Sequence, residues 1–150
     1  MISAKKLPFK EYFFELDEAV SGVEMAALIG KENEVDRVFK TLVTVGKTGN
    51  HYVFMIPVAG ELDLKKAAAA VGEKNVEMVK SKELLPLTGY VHGGCSPIGM
   101  KKLFKTTIHS SASSFDTIIF SGGKIGYQIE MSPKDLGKIV PYKFAELIRE

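Results

Sequence analysis

A single cysteine, Cys95, leaves this 150-residue chain no partner for an intrachain disulfide, so nothing in it calls for an oxidising compartment. The lysines at positions 5, 6 and 10 are followed by no apolar stretch of the kind a secretory signal needs, so a cytoplasmic location is expected. Long apolar runs are missing too. No stretch approaches the roughly 20 consecutive apolar residues of a membrane helix, and the uncharged residues 106–115 are rich in Ser and Thr. No membrane partner is expected.

An excess of one charge is also lacking. Twenty Lys and Arg face 18 Asp and Glu, a net charge of +2, which is too little for a protein that holds nucleic acid over its whole surface. Clustering carries more information. Lys65-Lys66, Lys101-Lys102 with Lys105, and the separate Lys40 and Lys124 read as one local basic face, suited to a small anion or the end of a nucleic acid. An apolar share of 45% and a charged share of 25% exclude a disordered chain. With no repeat, linker or low-complexity stretch, one domain over residues 1–150 is expected.

Several chemistries lack their signatures. His51, His92 and His109 have no ligand spacing with one another or with Cys95, so neither a metal nor another cofactor is expected. The order G-x-x-x-x-G-K-[ST] is absent, which excludes a nucleotide P-loop. Ser110 to Ser114 lacks the strand–elbow–helix context of a hydrolase serine, and no aromatic motif suggests a base-stacking sheet. Cys95, three residues after His92, is a candidate thiol nucleophile by proximity alone; the alternative is a small packing residue.

What is present alternates between strand and helix patterns. Residues 9–14 (FKEYFF) read as a strand, and Ser21-Gly22-Val23-Glu24 as a capping box opening a helix that stops at Gly30. Residues 38–45 and 51–58 read as a hairpin around a turn at 46–50. Asp63 caps an alanine-rich helix ending at Gly72. A short strand at 75–79 and a lysine-bearing helical turn follow. Residues 103–108, 117–121 and 125–131 read as strands, Ser132-Pro133 as a helix start, and 142–148 as a closing helix. The expected class is α+β: a mixed, mostly antiparallel sheet curled into a barrel, with helices around it.

Three segments carry the candidate chemistry. Lys40 stands mid-strand, and alternation places it on one face with Val38 and Leu42. A lysine inside a curled sheet needs an anion, whereas a snorkelling surface lysine does not. Gly93-Gly94-Cys95-Ser96-Pro97-Ile98-Gly99 can present free amides as an anion nest or oxyanion hole, although most such loops are only turns. Ser121-Gly122-Gly123-Lys124 is a second glycine turn bearing a lysine.

Taken in order, Phe39-Lys40-Thr41-Leu42, Pro57-Val58-Ala59-Gly60-Glu61-Leu62-Asp63-Leu64-Lys65-Lys66, Val76-Glu77-Met78, Thr88-Gly89-Tyr90, the 93–99 loop, Lys101-Lys102 and the 121–124 turn closely resemble the YbaK family. These are Cys-tRNA(Pro) deacylases, similar in turn to the editing domain of bacterial prolyl-tRNA synthetases. The resemblance runs from about residue 7 to the C-terminus. It implies hydrolysis of the ester joining a mischarged amino acid to the 3′-terminal adenosine of tRNA.

On this resemblance Lys40 holds the terminal phosphate or aminoacyl end, while Gly93 and Gly94 present amides to the ester carbonyl. Phe14, Cys95, Ser96, Pro97, Gly99, Ser121, Gly122, Gly123, Lys124 and Gln128 fall in the substrate pocket. Lys65, Lys66, Lys101, Lys102 and Lys105 meet the tRNA, and prolyl-tRNA synthetase is the candidate partner that delivers it. For cysteine the substrate's own thiol attacks the ester, releasing a thiolactone, so no protein nucleophile is needed. The chain departs from the family near the pocket: Phe14 replaces a common tyrosine, Gln128 an aspartate, and His92 and Cys95 apolar residues. The departures motivate an alternative, a non-hydrolysing module that binds tRNA or aminoacyl-adenosine.

Overall fold

The structure, a computed structural model, describes residues 9–13, 36–90, 95–98, 100, 104–123 and 126–149. The capping box at 21–24 and its helix lie outside the described residues. Strand β1 is Lys10–Phe13. Strand β2, Phe39–Gly46, runs into the tight turn expected at 46–50 and returns as β3, His51–Pro57, with Lys40 opposite Ile56 and Leu42 opposite Phe54. Gly49 takes a positive φ of 91° in that turn. The turn is clamped by Glu73, whose carboxylate accepts from Thr48 Oγ1 at 2.5 Å and Tyr52 Oη at 2.6 Å.

Asp63 caps α1, Leu64–Val71, by accepting from the amides of Lys65 (2.9 Å) and Lys66 (3.2 Å), and Gly72 ends it in the left-handed region at φ 75°. Strand β4 is Val76–Met78 and α2 is Ser81–Thr88. Strand β5, Lys105–His109, leads through a 3₁₀ turn at Ser110–Ser114 to β6, Ile118–Ser121, and β7, Tyr127–Met131. Ser132 caps the short α3, Pro133–Leu136.

The strands form two sheets. One is antiparallel, in the order β1-β7-β6. The other is mixed: β4-β2-β3 pair antiparallel, while β5 joins β3 in parallel. Both contribute one face to a single apolar interior, in which Phe39, Met55, Ile108, Ile118, Phe120, Ile129 and Met131 are buried together. Among the described residues the sheets meet at an isolated parallel bridge, Val38 with Ile119, and no closed barrel is formed. The α+β class holds, as does the predominance of antiparallel pairing.

The closing helix expected at 142–148 is a correction. Tyr142–Ala145 is strand β8, parallel to β5 with Ile108 opposite Phe144. Local propensity loses here to tertiary pairing. Beyond β8, Leu62 and Ile148 form an antiparallel bridge, Asp63 N–H donates to Leu147 O at 2.7 Å, and Arg149 N–H donates to Glu61 O at 2.9 Å. A helix would leave the edge of β5 unpaired and forfeit these bonds. On the outer face, α1 packs against Tyr52, Phe54, Ile56 and Leu147.

His109, 5% exposed, secures this C-terminal segment by accepting the Leu147 amide on Nδ1 at 3.1 Å. Burial holds its pKa below the ordinary 6.5; the Glu146 carboxylate, 3.9 Å from Nε2, pulls the other way, and Lys66 reinforces the depression. The unfolded chain then binds a proton that the folded one resists, so stability falls as pH drops below about 6.5. Urea midpoints should decline from pH 7 to about 5.5 through this group. In His109→Asn that decline should flatten; an unchanged slope would remove His109 as its source.

Candidate functional site

The site is built at the junction of the two sheets. From the Val38–Ile119 bridge, two residues further along each strand lead to Lys40 on β2 and Ser121 on β6. Ser121 is paired with Gln128 on β7, and Gln128 with Tyr12 on β1. Because strand side chains alternate, Tyr12, Gln128, Ser121 and Lys40 share one face, the one opposite Phe39, Phe120 and Ile129 of the interior. Lys40 is therefore outside the main core. It is half-buried between the Val38–Ile119–Val58 cluster and the α1 cluster that includes Leu42.

Among the described residues the Lys40 ammonium has no hydrogen-bond or ion-pair partner. A half-buried cation without a carboxylate retains its attraction for an anion from solution. Gln128 is buried, at 7% exposure, and its amide likewise makes no hydrogen bond among the described residues. Ser121 Oγ accepts the Gly123 amide at 3.3 Å and turns the chain at the end of β6. Both glycines in that turn are required by close approach. A Cβ at Gly122 would lie 2.5 Å from the Tyr127 ring; one at Gly123, where φ is 112°, would lie 3.0 Å from Tyr90 Cε1.

Tyr90 is the residue that sequence reasoning quoted without giving it a role. It packs on Gly123, and its hydroxyl donates to the carbonyl of Ile98, so it joins the two glycine-rich turns. The preceding residues aim it: Gly89 ends α2 at φ 88°, and buried Thr88 accepts the Tyr90 amide at 3.0 Å. The signal available in sequence was the glycine stop followed at once by an aromatic residue.

The described part of the 93–99 loop lies on the other side of the sheet from Lys40. Cys95 packs with Val43 and Val53, and Ile98 with Phe39 and Met55. Cys95, Ser96 and Pro97 are buried, and Ser96 Oγ accepts the Ile98 amide at 3.2 Å, so these side chains brace the loop from beneath. Gly93, Gly94 and Gly99 lie outside the described residues, as do Phe14, His92, Lys101, Lys102 and Lys124.

The expected single basic face is not formed by the described lysines. Lys105 opens β5, beside Tyr52. Lys66 donates to the Ile148 carbonyl at 2.9 Å and lies near His109, which ends β5, so the two lysines belong to opposite ends of a strand about 13 Å long. Lys65 is exposed at the start of α1. Among the described residues, no three His, Cys, Asp or Glu side chains gather as metal ligands, and no helix is long and apolar enough to cross a membrane.

The model of the aminoacyl-tRNA editing domain family matches residues 18–139, and the chain belongs to that family. Within it, the chain is of the YbaK/EbsC type. It is 46% identical over 148 residues to the Enterococcus faecalis protein named "Putative Cys-tRNA(Pro)/Cys-tRNA(Cys) deacylase EbsC", covering 98% of this chain and 89% of that one. It is 30% identical over 127 residues to "Uncharacterized protein YwhH" of Bacillus subtilis, covering 83% and 78%. A crystal structure described as "a putative trans-editing enzyme for prolyl tRNA synthetase" superposes with a TM-score of 0.83 at 25% identity, covering 95% of this chain and 87% of that one.

A thiol enzyme at Cys95 is disfavoured. Burial pushes the Cys95 thiol up to about 12, so the thiolate that such chemistry needs is suppressed at neutral pH. Folded protein should react slowly with Ellman's reagent and rapidly once denatured, with Cys95→Ala leaving function intact. Fast labelling of the folded protein would reinstate the thiol.

Proposed function

We propose that this chain is a trans-acting aminoacyl-tRNA deacylase acting on mischarged tRNA, with Cys-tRNA(Pro), and Cys-tRNA(Cys) beside it, as the substrate that fits best. The supporting observation is Lys40: a half-buried ammonium without a partner among the described residues, on one face with Ser121 and Gln128. Family membership, and the activity for which the Enterococcus relative is named, support the same reading.

In this reading Lys40 holds the phosphate or the acyl end of the terminal adenosine. Ser121 Oγ and the Gln128 amide offer neutral hydrogen bonds beside it, and the amides of Gly93 and Gly94 face the ester carbonyl. A cysteinyl substrate needs no protein nucleophile. Its sulfur forms the new bond to its own carbonyl carbon, the bond to the ribose oxygen breaks, and the thiol proton ends on that oxygen. The protein contributes position and charge stabilisation, which are enough to accelerate such an intramolecular step. Lys65, Lys66, Lys101, Lys102 and Lys105 meet the tRNA body in the same reading, as separate contacts. Prolyl-tRNA synthetase is the partner that would present the substrate.

Purified protein should release cysteine or its thiolactone from Cys-tRNA(Pro), and do so faster than it deacylates Ala-, Ser- or Pro-charged tRNA. Lys40→Ala should lower that rate by about 10²–10³-fold with the protein still folded, the loss expected when one charge-stabilising group is removed. Full activity in Lys40→Ala would overturn the role given to the ammonium. Binding of all four tRNAs without turnover would favour a binding module, for which the neutral Gln128 is the motivating feature.

A further inference from the structure

The carboxylate of Glu130, on β7, is nearly inaccessible, with 7% side-chain exposure, and among the described residues it gathers donors from three other parts of the chain. Tyr12 Oη of β1 donates to Oε1 at 2.6 Å. Thr117 Oγ1, just before β6, donates to Oε2 at 2.7 Å. Arg37 Nη2, two residues before β2, donates to the same Oε2 at 2.7 Å and also lies 3.1 Å from Thr117 Oγ1. Arg37 adjoins Val38, and Glu130 is paired with Ile119, so this cluster surrounds the Val38–Ile119 bridge.

Lys40 belongs to one sheet, whereas Ser121 and Gln128 belong to the other. Their spacing is therefore not fixed by continuous strand pairing. It is fixed by whatever holds the seam, and the Arg37–Glu130 pair crosses that seam. We propose that Arg37 and Glu130 are positioning residues, a charged clasp that sets Lys40 against Ser121 and Gln128 in the deacylase reading given above. The guanidinium suits this task because its planar array of donors keeps a fixed angle to the carboxylate and Thr117, which an ammonium cannot do. Neither residue touches substrate; both act through Lys40.

The test compares wild type, Arg37→Lys and Glu130→Gln with a control, Glu73→Gln, which loosens the hairpin clamp away from the seam. Single-turnover hydrolysis of Cys-tRNA(Pro) is followed at increasing enzyme concentration, at a temperature where all four proteins are folded. Displacing a group that orients the substrate should slow the saturated rate by about 10- to 100-fold while half-saturation moves only about threefold. Glu73→Gln should lose thermal stability and keep its saturated rate.

A second readout does not require turnover. Nuclear Overhauser contacts between Val38 and Ile119 should weaken in Arg37→Lys and Glu130→Gln, while Val43–Val53 contacts within one sheet persist. Saturated rates near wild type in both clasp variants overturn the proposal, as does an equal loss in Glu73→Gln. If wild type hydrolyses none of the charged tRNAs, the deacylase reading fails. The seam contacts then decide the clasp: unchanged intensities overturn it, and selective weakening sustains the geometry.

Discussion

Two sheets that share an apolar interior, yet meet at one backbone bridge among the described residues, need a separate means of holding their angle. A strand pair spaces itself through its ladder, and every further residue adds a bond. Past Val38 and Ile119 that ladder does not continue, and the polar groups of Arg37, Thr117, Tyr12 and Glu130 take over. Taking a carboxylate out of water is unfavourable unless donors surround it. Among the described residues Glu130 accepts from three, which lets a charge sit at a nearly inaccessible position.

The same economy of partners explains why Lys40 is chemically available. Some of the other described lysines are engaged in the fold. Lys66 donates to Ile148, and Lys138 pairs with Asp135 at 3.2 Å. Lys40 stands half-buried between two apolar clusters, its ammonium without an acceptor among the described residues. Neighbouring Gln128 and Ser121 are neutral, so nothing in the row competes with an incoming anion.

Much of this was legible from residues alone, because local rules governed it. Gly46 to Asn50 between two β-branched runs, Asp63 before an alanine-rich stretch, and Ser132-Pro133 each form the element their chemistry dictates. The placement of Lys40 with Val38 and Leu42 followed from strand alternation. Three features did not follow from local rules. Residues 142–145 became a strand because β5 offered an unpaired edge, a fact about a segment more than 30 positions away. Lys66 and Lys105 were separated by the direction of β5, which no clustering along the chain reveals. Glu130 received no role from the sequence, because the partner that meets its buried carboxylate, Arg37, lies 93 positions earlier.

That separation carries a consequence for how the molecule comes into being. Tyr12 and Glu130 are 118 positions apart, and β1 closes onto β7 only after nearly the whole chain is available. Long-range closures of this kind are entropically costly and slow compared with hairpins such as β2–β3. During synthesis the β2–β3 hairpin and α1 can form while the row containing Lys40 still lacks Ser121 and Gln128. A nascent chain on the ribosome thus carries the cation before it carries the surroundings that would give that cation a task.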